Sequence, residues 1–436
     1  MSNTHGSRNM SPGKLGRVMS RVRSLTVALG LALGTVALAP LVVPATVQAA
    51  DKPKVSKAVG EPLKKAQEAM GKKQFDVALQ EINKAKAVEK RTPFEDYQID
   101  EFLGYILIQQ KKYSEAAAVY ERMLNSGQMP PEQVDDRTKA VAQMYFQVKE
   151  YKKAAEWSKK WLDKHPGNED MTVLLAQSYY LLDDYKNAAT SMSTVVAQAE
   201  KAGQTPKENY LQIVLSSYFK MQNNDGIAEA LKKMVRYYPK PEYWDNLIDI
   251  NRRKQNGGGD RLTLGYYRLM SDVGVLKDKG DYMEMAQLGI EAGVPGESEQ
   301  VVEKGISNGI LKSDDKTEQG RYDRLLAAAK KQAAADKASL DQLAKDAEKA
   351  PTGQAYVALG QAYLSYGRYD DAINAIETGI KKGSVTDADD AHISLGIAHL
   401  KKGQRDQARQ AFKAVKPDSK WSSLADLWTV RTQSPA

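Results

Sequence analysis

The stretch that decides the fold is "YVALGQAYLSYGRYDDAINAIETGIKKG", residues 356–383. Two small residues, Gly360 and Ala372, stand twelve positions apart within it. Tyr363 follows the first by three positions, and Tyr369 precedes the second by three. Small residues let two helix axes approach closely, and bulky residues three or four positions away fill the space beside them. The spacing predicts two antiparallel helices joined by a short turn.

The same spacing recurs along the chain, with the second small residue advancing by 34 to 40 positions between neighbouring copies. Regular recurrence at this period predicts a tandem array of helix pairs. The small pairs are Ala66/Ala78, Gly104/Ala116, Ala142/Ala154, Ala176/Ala188, Ser216/Ala228, Gly360/Ala372 and Gly396/Ala408. The aromatic position before the second small residue is filled by Phe75, Tyr113, Tyr151, Tyr185 and Tyr369.

Degenerate copies fill the interval between the clear repeats. Residues 281–309 align with residues 355–383 at a shift of 74, two periods of 37. One helix pair is therefore expected between them, and Ser339 with Gln342 has the pattern of a capping box at the start of its second helix. Residues 241–273 supply another pair.

The segment "RYYPKPEYWDNL", residues 236–247, holds two prolines and four aromatic residues. It could be a binding site or a joint between repeats. Pro239 stands where one helix should stop, and Pro241 stands in the first turn of the next, where proline is tolerated. Tyr243 and Trp244 then continue an apolar stripe, and aromatic residues at helical spacing usually lie in a core. We interpret the segment as a packed joint.

The register of Ala142, Tyr145, Ala154 and Pro166 resembles the tetratricopeptide repeat, a helix–turn–helix unit of 34 residues. The resemblance implies an all-α fold, a tetratricopeptide-type alpha solenoid of about ten antiparallel helix pairs. The stretch "WSSLADLWTV", residues 421–430, has one apolar face and predicts a C-terminal capping helix. An elongated array with contacts between neighbouring repeats is expected.

The sequence divides into six predicted parts. These are a signal peptide (1–49), a mature N-terminal tail (50–58), helix pairs one to five (59–238), degenerate pairs six to eight (239–350), pairs nine and ten (351–416), and the capping helix with its tail (417–436).

The first part has the pattern of a secretory signal. Basic residues between Lys14 and Arg23 precede an apolar run of about 15 residues, 25–39, and small residues Val47 and Ala49 follow. This run is short for a spanning helix, which needs about 20 residues. Cleavage near Ala49 would give a periplasmic protein without a membrane insertion, and an uncleaved N-terminal anchor is the alternative.

Composition excludes several classes of function. Of the 63 Lys and Arg residues, five lie within 1–49 together with no acid, so the formal charge falls from +8 to +3 when this part is removed. A balanced chain does not favour nucleic acid as a partner. The sequence has no cysteine, which excludes disulfides, thiolate metal sites and a cysteine nucleophile.

Residues with catalytic or metal-binding chemistry are sparse. His392 and His399 stand seven apart on one helix, but they occupy packing positions of the last repeat, so we interpret them as core residues. The glycine-rich segment 256–260 lacks the ending of a phosphate loop and predicts a turn. We therefore predict no catalytic residue, cofactor or metal, and no enzyme activity.

The resemblance places the candidate site on the first helix of each pair, which lines a concave groove in tetratricopeptide superhelices. Amide side chains there can donate to and accept from an extended backbone. The predicted partner is a protein or an extended peptide segment. The groove residues are Gln67, Tyr105, Gln143, Phe146, Gln177, Tyr180, Gln287 and Gln361.

The whole chain after residue 49 is also similar to periplasmic tetratricopeptide proteins of proteobacteria, of a kind described as components of a TonB-type system. The stretches that carry this similarity are residues 236–247 and "RLTLGYYRLM", residues 261–270. Three hypotheses follow: a non-enzymatic scaffold for protein segments, a scaffold for cell-wall or exopolysaccharide machinery, and an enzyme with its site in residues 240–350.

Overall fold

The computed structural model describes residues 54–254 and 259–435. The predicted signal peptide lies outside these residues, as do residues 50–53 of the predicted mature tail. All regular elements of the described part are α-helices, twenty in number, which confirms the predicted all-α fold class. In this part of the chain, no helix is both long enough and apolar enough to cross a bilayer.

The described chain forms two compact units that divide after Asn223. The boundary falls between the two helices of predicted pair five. The N-terminal unit contains α1 (Lys57–Gly71), α2 (Phe75–Lys86), α3 (Pro93–Gln109), α4 (Tyr113–Asn125), α5 (Pro131–Gln147), α6 (Tyr151–Leu162), α7 (Glu169–Leu181), α8 (Tyr185–Lys201) and α9 (Glu208–Lys220). The C-terminal unit contains α10 (Asn224–Tyr237), α11 (Pro241–Lys254), α12 (Asp260–Asp272), α13 (Lys279–Glu291), α14 (Pro295–Ser307), α15 (Lys316–Lys349), α16 (Gln354–Ser365), α17 (Tyr369–Lys382), α18 (Ala388–Lys401), α19 (Arg405–Lys413) and α20 (Ser422–Gln433).

Six of the seven small pairs lie on two helices that contact each other within one unit, all except Ser216/Ala228. Each of the seven pairs is buried at both positions, except that Ser216 is half-buried. A Cβ atom added at Gly104 would lie 2.9 Å from the ring of Tyr120, and one at Gly360 would lie 2.5 Å from Cγ1 of Ile376. The helices therefore pack too closely for a larger side chain, as the spacing predicts.

The turn inside several of the described pairs has one recurring geometry. Tyr151 begins α6 as predicted, and the backbone N–H of Glu150 donates to the carbonyl of Tyr145 at 2.9 Å. Two residues before the helix, Lys149 has a φ of 64°, in the left-handed region. This bond satisfies a carbonyl that the end of the first helix leaves free. The same left-handed position is occupied by Lys73, Lys111, Asp183 and Gly367 in the equivalent turns.

A single carboxylate joins the starts of two helices in the N-terminal unit. Glu95 in the first turn of α3 accepts from the backbone N–H groups of Thr92 at 2.8 Å and Ser56 at 2.7 Å. The Thr92 hydroxyl in turn accepts from the Glu95 N–H at 3.2 Å, which completes a capping box. These hydrogen bonds, first those to Ser56 and then those to Thr92, lower the pKa of Glu95 to about 2.

The segment 236–247 is a packed joint, as predicted. The second helix of pair five ends at Tyr237, and Pro241 is the first residue of α11. Tyr243 and Trp244 are 2% and 1% exposed. Their burial confirms the interpretation as a joint, because side chains with so little accessible surface present none of it to a ligand.

The prediction of an eighth helix pair is wrong. Residues 316–349 form one continuous helix, α15, of 34 residues. The Ser339 hydroxyl donates to the carbonyl of Asp336 within the helix at 2.9 Å, and Gln342 donates to Asp346 at 2.9 Å. The residues expected to cap a second helix are thus satisfied inside the first. Residues 316–349 therefore supply one helix where a pair was expected, and the C-terminal helix α20 follows the last pair.

The C-terminal helix covers the end of the array and also reaches back to the start of its own unit. Trp421, Leu424 and Trp428 are at most 1% exposed, so the predicted apolar face of α20 is buried. This helix packs on α19, and it also contacts α10, α11 and α12. After α20, the Ser434 hydroxyl donates to the carbonyl of Val235 at 2.7 Å. The expectation of contacts only between neighbouring repeats is therefore wrong for the C-terminal unit.

Candidate functional site

The predicted groove residues of the N-terminal unit differ in exposure. They lie on the first helices of the repeats, of which α5, α7 and α9 are packed side by side. Gln67 is exposed, and Tyr105 and Gln143 are half-buried. Gln177 is 8% exposed, so its amide presents little surface. Gln67, Tyr105 and Gln143 therefore retain accessible surface for a partner, as does the half-buried Tyr180.

Two predicted aromatic residues take part in packing between paired helices. The ring of Phe146 lies 5.5 Å from that of Tyr151 in an edge-to-face contact, and Phe146 is 4% exposed. Tyr180 makes the equivalent contact with Tyr185 at 5.5 Å, and its hydroxyl lies 2.7 Å from that of Ser216. Edge-to-face pairs stabilise a fold beyond the area that they bury. Removing either ring would therefore affect the repeat itself.

A half-buried acid that the sequence reasoning missed lies beside Tyr105. Glu101 precedes Tyr105 by four positions on α3, which places both on one face of the helix. Burial raises the pKa of the Glu101 carboxyl. Tyr97, a further four positions back, is 4% exposed, and its hydroxyl has no hydrogen-bond partner among the described residues. The sequence signal that could have pointed to this cluster is the four-residue spacing of Tyr97, Glu101 and Tyr105.

In the C-terminal unit, the side chains of the two predicted glutamines already form hydrogen bonds with neighbouring side chains. Gln287 is exposed and donates to Glu291 at 3.0 Å. Gln361 is 7% exposed, and its amide nitrogen donates to Asp390 at 3.1 Å and to Ser394 at 3.1 Å. Arg261 of α12 donates to the same Asp390 oxygen at 2.9 Å. Gln361 therefore belongs to a polar network that ties α12 to α16 and α18.

Two further ion-pair groups lie near this network. Arg268 and Glu297 form a bidentate pair at 2.8–3.0 Å, with side chains 12% and 19% exposed. Asp272, 8% exposed, accepts from Lys401 at 2.7 Å through one oxygen and from Arg431 at 2.8 Å through the other. These pairs connect α12 with α14, α18 and α20. The sequence signal for them is a single arginine within the apolar stretch "LTLGYYRLM".

A cavity of about 240 Å³ lies next to these ion pairs, and we call it the inner cavity. Seven helices of the C-terminal unit contribute to its wall, namely α12, α13, α14, α16, α17, α18 and α20. The wall combines charged groups, including Arg268 and Asp272, with apolar side chains, including Ile397 and Trp428. It is a polar site with an apolar floor.

The histidines of the last repeat serve packing. His399 is 7% exposed, and its Nδ1 lies 2.7 Å from the side-chain oxygen of Gln404. His392 is half-buried, and burial lowers its pKa. Among the residues that the structure describes, no cluster of three His, Cys, Asp or Glu side chains is placed to hold a metal ion.

Comparisons with known families agree with this architecture. Residues 63–131 and 357–422 match the family model described as "Tetratricopeptide repeat", and residues 109–195 match the model described as "Anaphase-promoting complex, cyclosome, subunit 3". Segments of both units are therefore similar to the tetratricopeptide repeat. Proteins built from such repeats generally mediate protein–protein interactions. Among curated proteins, none matches this sequence.

Solved structures with similar helical repeats are distant in sequence. A tetratricopeptide repeat protein from Parabacteroides merdae is 13% identical, with 87% of this chain and all of that chain covered and a TM-score of 0.30. MamA from Desulfovibrio magneticus RS-1 is 15% identical over 47% of this chain and all of that chain, with a TM-score of 0.28. The TPR2AB domain of yeast Sti1, in a complex with pHSP90, is 12% identical over 70% of this chain and all of that chain, with a TM-score of 0.23. At these scores the similarities carry no argument about function.

Proposed function

We propose that the chain is a non-enzymatic periplasmic scaffold that binds an extended segment of a protein partner. The supporting observation is the row of tetratricopeptide first helices in the N-terminal unit. The side chains that follow the small residue, Gln67, Tyr105 and Gln143, retain accessible surface there. Amides can hydrogen-bond an extended backbone, and a tyrosine ring supplies buried area.

The cellular setting of the proposal rests on sequence patterns alone. The periplasmic location follows from the signal-like pattern of residues 1–49, and the link to a TonB-type system follows from similarity to a class of proteobacterial proteins. Fractionation of cells that produce the full chain tests the location. Recovery of the protein in the cytoplasm with residues 1–49 still attached would refute this part of the proposal.

The test of the binding surface is site-specific photo-crosslinking in intact cells. A photoreactive amino acid is placed at Gln67, at Tyr105, or at Lys152, an exposed residue on the second helix α6. Mass spectrometry then identifies the crosslinked proteins. We expect the same envelope protein at both first-helix positions and not at Lys152.

The paired variant Tyr105→Ala with Gln143→Ala then measures the contribution of these side chains. We expect affinity for the crosslinked partner to fall by about tenfold or more, because truncating a tyrosine at an interface often costs over about 1.4 kcal/mol. Phe146 is unsuitable for this test, because its burial would mix loss of binding with loss of fold. Unchanged affinity of the paired variant, or crosslinks that form only at Lys152, would refute binding along the first helices.

A further inference from the structure

The inner cavity has an exposed polar rim and a buried apolar floor. Lys304 and Lys401 line it and are exposed to solvent, which places their amines towards its opening. Val301, Ile397 and Trp428 line it and are at most 5% exposed. A ligand in this cavity would therefore meet positive charge on one side and apolar surface on the other.

The acidic groups of the cavity are already neutralised within the protein. Both oxygens of Asp272 accept charged hydrogen bonds, one from Lys401 and one from Arg431. Both oxygens of Glu297 accept from the guanidinium of Arg268. A cationic ligand would have to displace one of these bases, and breaking a mostly buried ion pair is costly.

Donors, in contrast, remain available around the cavity. The Lys304 amine forms no ion pair with any described residue, and Lys401 uses only one of its three N–H groups on Asp272. The hydroxyls of Ser271 and Tyr369 also line the cavity, and neither has a hydrogen-bond partner in the described part of the chain. The cavity wall holds three bases, Arg268, Lys304 and Lys401, against two acids, Asp272 and Glu297, so the unused groups favour an anion.

From this balance we propose that the inner cavity binds a small organic carboxylate that carries a short apolar body. The carboxylate accepts from the Lys304 and Lys401 amines, and the apolar body packs on Ile397 and Trp428. The volume of about 240 Å³ lies below the range of roughly 300–1,000 Å³ typical of drug-sized ligands. The ligand is therefore a small molecule of about the size of hexanoate or benzoate.

This site is independent of the proposed protein-binding surface. All of its lining residues belong to the C-terminal unit, whereas the proposed binding of a protein segment uses first helices of the N-terminal unit. Because the wall includes α12, α14, α18 and α20, a bound carboxylate should also stabilise the contacts between these helices. Ligand that binds only the folded state raises the melting temperature with its concentration.

The experiment uses a matched series of probes on the full chain from residue 50 onward. Hexanoate and benzoate are the anions, hexanamide and benzamide are their neutral counterparts, and benzylammonium is the cation. Binding is measured by ligand-observed NMR and by calorimetry. We expect the two anions to bind with dissociation constants of about 1 mM or tighter, the range for ligands of so few atoms. The amides and the cation should bind at least about tenfold more weakly, because only a carboxylate forms charge-assisted hydrogen bonds with the amines.

The matched variants are Lys304→Gln and Lys331→Gln. Each removes one exposed positive charge from the C-terminal unit, but Lys331 lies on α15 and does not line the cavity. Lys304→Gln should weaken benzoate binding by about tenfold and reduce the rise in melting temperature at a given benzoate concentration, whereas Lys331→Gln should change neither. Equal binding of benzoate and benzamide, equal effects of both variants, or no anion binding up to about 10 mM would overturn the proposal. Circular dichroism checks that each variant is folded.

Discussion

Gly360 is a position where one added methyl group should destabilise the protein although it improves helix propensity. It lies in the middle of α16 and faces α17. A Cβ atom there would lie 2.5 Å from Cγ1 of Ile376, 3.0 Å from the carbonyl oxygen of Ala372 and 3.1 Å from the backbone nitrogen of Ile376. Two of these three atoms belong to the backbone, so relief requires that α17 itself moves.

The expected size of the effect follows from two opposing contributions. Replacing glycine by alanine inside a helix stabilises it by about 1 kcal/mol. Overpacking a close contact costs about 1–3 kcal/mol, and a contact with backbone atoms belongs near the upper end. The net prediction for Gly360→Ala is a loss of about 1–2 kcal/mol in the free energy of unfolding of the C-terminal unit.

Gly320→Ala is the matched control, because the same substitution in the same unit should have the opposite sign. A Cβ at Gly320, in the second turn of α15, meets only the flexible end of Arg324, at 3.3 Å. We expect a gain of up to about 1 kcal/mol there.

The assay is hydrogen exchange with mass spectrometry across a urea series, because it reports the stability of each unit separately. Peptides that cover α16 and α17 should exchange at lower urea in Gly360→Ala and at higher urea in Gly320→Ala. If Gly360→Ala stabilised the unit as much as Gly320→Ala, the close approach of α16 and α17 would be refuted.

Three further predictions concern other contacts. Asp272→Asn should lower the free energy of unfolding of the C-terminal unit by about 2 kcal/mol, because two bases lose a mostly buried partner. Adding Arg431→Gln to this variant should then lower the free energy of unfolding by little more. A double-mutant cycle measured by urea unfolding checks this. Glu95→Gln should lower the melting temperature at pH 7. The folded pKa of Glu95, about 2, lies below the ordinary value of 4.5 for this side chain, so the stabilisation is present above pH 4.5 and should disappear as the pH falls towards 2. A melting difference that does not depend on pH would contradict this. Lys149→Gly should stabilise the N-terminal unit by about 0.5 kcal/mol, because glycine adopts the left-handed turn without strain, and urea unfolding would show a loss instead if the turn were not left-handed.

The repeats could be predicted from the sequence because close helix packing is a local requirement. A small residue must stand at each point of closest approach, and two such points on paired helices are always about twelve residues apart. Ala142 and Ala154, both 0% exposed, show this rule in its plainest form. The aromatic residue that begins the second helix has the same local cause, since it packs against the first helix of its own pair.

The continuous helix α15 shows where a local signal failed. Ser339 and Gln342 match a capping box, but alanines and lysines around them, as in "AAAKKQAAADKASL", favour a helix throughout. A serine inside a helix can satisfy its hydroxyl with a preceding carbonyl, as Ser339 does with Asp336. Without a glycine or proline to end the first helix, the capping pattern did not start a second one.

The inner cavity could not be predicted, because its charged groups meet across long stretches of sequence. Asp272 and Lys401, both in its wall, are 129 positions apart, and Asp272 and its second partner Arg431 are 159 apart. No periodic pattern relates such pairs. The positions of the predicted groove, in contrast, follow from the repeat register and can be read from the sequence. Gln67, Tyr105 and Gln143 stay candidates for binding a partner.

The return of α20 to the first helix of its unit has a consequence for how that unit unfolds. In an open array, the terminal repeat can fray, and the loss spreads inward one repeat at a time. Here Ser434 is bonded to Val235 across 199 positions of sequence, so the final helix cannot detach without also uncovering the start of the unit. Forming this contact late in folding carries a greater loop-closure entropy than pairing adjacent helices. The C-terminal unit should therefore melt in a single cooperative step with slow kinetics, whatever the behaviour of the repeats that precede it.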